Sequence, residues 1–204
     1  MKLFGTSAIV LIPTVFLTLA AVTTASAAKT NRYGGPIYHG APALEVTSSL
    51  VAAGGGPGNF SVEKALTEMI GPKLAEAEVA KLEKQYGKDD FALFVKTFNF
   101  AVEDSLKIAT ADGIKLPPPT LSGKKLASAL VHVGTDPETS TWWAGLTFDK
   151  TLSHKIHDQV MDNIDNSADL GTLGDFKLHQ IMDQAFYDLA QALGHKDVRL
   201  ASIH

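Results

Sequence analysis

The chain has 204 residues, 45% of them hydrophobic and 20% charged, with 18 basic against 22 acidic side chains and a formal charge of -4. That balance excludes a disordered acidic chain, and it excludes a nucleic-acid binder working through a basic face, because Lys and Arg are too few and too scattered to line a phosphate backbone. With no cysteine, disulfide scaffolds, thiolate metal centres, cysteine nucleophiles and C-x-x-C-H haem attachment are excluded as well, so stability must come from packing or from a bound group.

The N-terminus carries the clearest signal. Lys2 precedes an apolar stretch from Ala8 to Val22, and Ala25-Ser26-Ala27 matches the A-x-A cleavage pattern. This predicts a signal peptide over 1–27 and a secreted or periplasmic destination. The apolar stretch is shorter than the roughly 20 residues a spanning helix needs, and no later segment comes near that length. The processed chain is therefore expected to have no membrane span.

Residues 28–58 are rich in Gly, Pro, Ser and Thr, with Gly34-Gly35-Pro36 and Gly54-Gly55-Gly56-Pro57-Gly58, and show no sustained period. They read as an extended lead-in. The glycine cluster lacks the Gly-Lys-Ser/Thr ending and the strand-loop-helix frame of a phosphate-binding loop, so it reads as a plain loop.

From residue 59 to 204 the chain reads as one helical domain. Apolar residues recur at helical spacing, and glycines fall where helices stop: Gly71 before Pro72, Gly87, Gly113, Gly134 and Gly194. Helices are predicted near 61–70, 73–86, 89–111, 123–133, 140–166 (broken near Asp149) and 175–193. The fold class is all-α, a bundle of about five to six helices. The helix over 89–111 is the expected centre, since Phe91, Phe94, Val95, Phe98, Val102, Leu106 and Ala109 form one stripe while Leu93 and Phe100 lie opposite.

In an all-helical chain, chemistry is expected where titratable side chains point into the bundle. His157 falls on the apolar side set by Leu152, Ile156, Val160 and Ile164, and His154 lies one turn earlier at its edge. Imidazoles at this spacing can converge on one ion but need partners. Glu103, beside Asn99, and Glu78, within the stripe of Ala75, Val79, Leu82 and Tyr86, could supply carboxylates. His179 could supply a third imidazole, with Asp183 orienting it. Five residues thus form the candidate metal set, His154, His157, His179, Glu103 and Glu78, for a divalent transition metal such as Zn, Fe or Mn. The same residues have a structural reading. A glutamate on an apolar stripe can pair with a lysine or cap a neighbouring helix, and a core histidine can bond a carbonyl.

Other classes fare less well. No E-x-x-H occurs, so the di-iron carboxylate pattern is missing. A haem protein would use His154, His157 or His179 as axial ligand against the Phe-rich central helix, although no haem motif is present. No G-x-S-x-G nucleophile elbow occurs. Trp142-Trp143 reads as a flat-ligand platform or as a helix anchor, and His39, His132, His195 and His204 read as isolated surface residues. The sequence therefore carries two main function classes, a metal-binding helical protein and a non-catalytic helical module that binds a small molecule or a protein.

Overall fold

The computed structural model describes residues 41–135 and 150–195. Among these, all regular structure is helical: α1 Ala41–Ala53, α2 Val62–Ile70, α3 Pro72–Tyr86, α4 Lys88–Ala111, α5 Gly123–Thr135, α6 Lys150–Asp165 and α7 Asp175–Ala192, with a one-turn 3₁₀ helix at Gly171–Leu173 before α7. The all-α expectation holds, with one helix more than the five to six expected. The signal peptide, Trp142-Trp143, His39 and His204 lie outside the described residues.

The helix boundaries follow local chemistry. Ser61 sits in an extended conformation ahead of α2 and its side chain accepts from the Lys64 N–H, which supplies one of the partners that the first N–H groups of a helix lack. Gly71 ends α2 at φ 84 and at the same time precedes Pro72, the first residue of α3. That backbone conformation suits glycine alone, and the following proline has a ring angle already set for a helix start. Gly87 repeats the device between α3 and α4 at φ 91.

The additional helix is α1. The extended reading of residues 28–58 fails over Ala41–Ala53, and the reason is physical. Val46, Thr47, Ser48, Ser49, Leu50 and Val51 are all buried, so the middle of this helix is covered on every side, only positions near its ends such as Ala52 meet solvent, and no polar face generates a period. Its serines resolve the cost of burying hydroxyls. Ser49 Oγ accepts from the Thr120 and Leu121 N–H groups at 3.2 and 3.1 Å, and Ser48 Oγ donates to the Pro117 carbonyl. The loop after α4 is thereby fastened across α1.

The core runs through α4, whose Phe91, Phe94, Phe98, Ala101, Val102, Leu106 and Ala109 are buried. It packs against α2, α3, α6 and α7, while α5 closes the bundle against α1, α2 and α7. Phe91, Phe94 and Phe98 stack in sequence along α4, with neighbouring ring centroids 6.0 and 5.7 Å apart. None of the described helices is long and apolar enough to cross a membrane.

Candidate functional site

The candidate metal ligands whose side chains are described, Glu103, His157, His179 and Glu78, occupy different environments. Glu103 is committed to the backbone: its Oε2 accepts from the Gly58 N–H and its Oε1 from the Phe60 N–H, both at 2.8 Å. Asn99, one turn earlier, accepts from the Val62 N–H through Oδ1 at 2.8 Å. Together they hold the α1–α2 loop and the start of α2 on α4. This is the capping role open to a glutamate on an apolar stripe, here turned towards a loop and a neighbouring helix.

His157 is half-buried on α6, with Ile156, Val160 and Ile164 filling the core beside it, and its Nδ1 lies 3.1 Å from Asp158 Oδ1. His154 belongs to α6, and its side chain lies outside the described residues. His179 is half-buried on α7, close enough to Asp183 for its charge to be felt there; burial raises the Asp183 carboxyl and His179 opposes that rise. Among the described residues, no three His, Asp or Glu side chains converge as a metal centre would require. His132 and His195, expected as isolated surface residues, instead meet edge to face with ring centroids 5.3 Å apart. Burial, and then the neighbouring His195, lower the His132 imidazole below its ordinary value.

The glycine cluster is a fixed loop whose donors are spent internally. Gly54, Gly55 and Gly56 N–H groups return to carbonyls of α1, Asn59 N–H to Gly56, and Ser61 N–H to Gly54. With Gly58 and Phe60 taken by Glu103, few backbone donors remain with which to cradle a phosphate.

Glu78 is different. It lines an apolar cavity of about 80 Å³ bounded by α2, α3, α4 and α7, with Leu130 of α5 closing one side. Phe91, Phe94 and Phe98 form one wall, and Met69 and Met182 face it from α2 and α7. Leu66, Val79, Val95 and Phe186 line it while only half-buried, and the polar lining residue Glu63 is exposed, so the cavity reaches solvent beside α2. Glu78 is the other polar residue in the lining.

Behind Glu78 stands Asp188 of α7, its side chain only 5% exposed. One oxygen of Asp188 is well supplied: Oδ1 lies 2.5 Å from Lys81 Nζ and accepts from Gln184 Nε2 at 3.0 Å. The other oxygen, Oδ2, is buried with no N–H or hydroxyl group donating to it, and so is Oε1 of Glu78. Two bare acceptors can bond each other only when one carries a proton. The Glu78 carboxyl is pushed up to about 7, first by burial, next by its hydrogen bond to Asp188 and then by the Asp188 charge, with Lys81 opposing. Glu78 thus keeps a proton well above the usual carboxylate range and donates it to Asp188.

Two further buried oxygens lack partners among the described residues, Thr97 Oγ1 and Ser105 Oγ. Both are hydroxyls within α4 and can turn onto the carbonyl four residues back. The two carboxyl oxygens have no such escape.

Comparison with known proteins returns no match: no family model, curated protein or solved structure is significantly similar to this chain.

Proposed function

We propose that the chain is an exported, non-catalytic helical module that holds a small apolar molecule in the cavity between α2, α3, α4 and α7. The leader pattern of Lys2, the apolar run and Ala25-Ser26-Ala27 supports export. The cavity is the observation that carries the binding reading. Protein interiors pack to crystal-like density and rarely retain voids much larger than a water, yet about 80 Å³ stays open here beside three phenylalanines. Its composition is that of a small-molecule pocket, with apolar walls and a very small number of polar groups. Met69 and Met182 add unbranched, polarizable side chains that adapt to different shapes.

Methionine methyl resonances test this directly. Met69 and Met182 line the cavity and Met161 does not. Under xenon pressure, which probes apolar cavities irrespective of polar groups, the Met69 and Met182 methyl signals are expected to shift in a saturable way while Met161 stays in place. No saturable shift, or an equal shift of all three, would overturn the reading.

A further inference from the structure

At the wall of the cavity lies a group of charges that lacks a cation once Glu78 is ionised. Three ionisable groups meet between α3 and α7: Glu78, Asp188 and Lys81. Two carboxyl groups face one ammonium, and that ammonium is already engaged on Asp188 Oδ1. When Glu78 is ionised the group is one positive charge short, and the deficit falls on Glu78 Oε1 and Asp188 Oδ2, to which no other residue donates a hydrogen bond. The surrounding groups do not fill it. Tyr86 of α3 bonds the Gln180 carbonyl at 3.3 Å, Gln184 serves Asp188 Oδ1, and Asp183 and Tyr187 of α7 add no cation. Glu63 is the titratable lining residue of α2, and it is acidic and exposed; the lining residues of α4 and α5 are apolar.

A proton supplies the missing charge, but so can a cation that reaches Glu78 through the cavity, and the cavity walls select for one with an apolar body. Resting on the binding reading above, we propose that Glu78, backed by Asp188, receives the ammonium head of a slender alkyl amine whose chain lies against Phe91, Phe94 and Phe98. Charge complementarity chooses the head group, because an alkyl carboxylate would place a third acidic group against two others. Size chooses the chain. An engineered apolar cavity of roughly 150 Å³ admits benzene; a cavity of about 80 Å³ that opens to solvent beside α2 suits instead an unbranched chain, which can leave part of its length in the mouth. Binding and protonation then compete for one place. As the ammonium enters, the proton on Glu78 leaves to solvent, and the hydrogen bond Glu78 made to Asp188 is replaced by N–H bonds from the ligand.

The experiment uses the full chain and three probes of matched length, n-hexylamine, methyl pentyl ether and hexanoate, followed through the Met69 and Met182 methyl signals at pH 5.5 and pH 8.5. The amine is expected to bind at least about tenfold more tightly than the ether at pH 8.5, and this preference should shrink several-fold at pH 5.5, where Glu78 is protonated. Hexanoate should bind more weakly than the ether at pH 8.5. Glu78→Gln should bring the amine-to-ether ratio to about one at both pH values. Equal affinity of amine and ether in the native protein at pH 8.5, or preference for hexanoate, would overturn the head-group assignment while a xenon response left the apolar cavity standing. Silence from xenon and from all three probes would overturn both.

Discussion

A single proton decides how Glu78 behaves, and it makes stability depend on pH in a direction unusual for a carboxylate. In the unfolded chain Glu78 ionises near 4.5, whereas in the fold it does so at about 7. Between those values the folded state holds a proton that the unfolded state has released, so stability falls as pH rises. The contribution is complete below about 4.5 and is lost as pH passes 7. His132 acts with the opposite sign: burial and His195 lower it, so the fold loses that proton first and stability rises with pH below its ordinary value. The native profile adds both contributions, and a difference between variants separates them. Glu78→Gln keeps a donor towards Asp188 at every pH. Its stability relative to the native chain, read from melting temperatures, should therefore climb between pH 5 and pH 8 and level off about 1–2 kcal/mol higher, because water partly screens the half-buried carboxyl. A constant difference across that range would mean that Glu78 and Asp188 do not share a proton.

At the scale of elements, Glu103 ties the α1–α2 loop to α4, and its loss should act through the backbone it serves. Glu103→Ala leaves the Gly58 and Phe60 N–H groups without their acceptors, which corresponds to about 2 kcal/mol. The same loss is expected with and without a chelator, because both carboxylate oxygens are engaged by backbone N–H groups. A native melting temperature that drops on chelation, with Glu103→Ala insensitive to it, would instead favour the metal reading. Gly54 makes the same loop a tight contact for another reason. A Cβ there would sit 2.3 Å from the Phe60 ring, so Gly54→Ala should destabilise by about 1–3 kcal/mol, as measured by denaturant midpoint.

The sequence exposes some of these elements and hides others. Period and punctuation reveal α2, α3, α4 and α7, because each carries an apolar stripe at helical spacing and a glycine at or just past its end. They hide α1, since a helix whose middle is covered on every side, with Val46, Leu50, Val51 and three hydroxyls buried, lacks the contrast on which periodicity depends. Glu78 is visible as an acid within an apolar stripe. Its partner was open to the same reasoning, since Asp188 follows Ile181 and Ala185 at i+7 and i+3 on α7. Which acid meets which across two helices is a matter of packing, and no spacing within one helix encodes it. The Glu103 cap has the same character, joining residues 43 and 45 positions apart in the chain.

For the molecule as a whole, an open apolar cavity sets stability against binding. Residual cavity volume in a core destabilises by roughly 24 cal/mol per Å³, so about 80 Å³ corresponds to about 2 kcal/mol that a filled interior would recover. Ala185 lines the cavity from α7, where it is half-buried, and leucine is a good helix former whose branched end can occupy the space between Phe94 and Met182. Ala185→Leu is thus expected to raise the melting temperature by about 2–6 °C, from a gain of roughly 1–2 kcal/mol in a chain of this size, and to abolish the xenon response at Met69 and Met182. The two effects must appear together, since both arise from occupying one volume. A variant that is stabilised yet still responds to xenon would place the xenon elsewhere. One that is destabilised and silent would show that the four helices already touch where the cavity is drawn, leaving the bundle no interior room for a ligand.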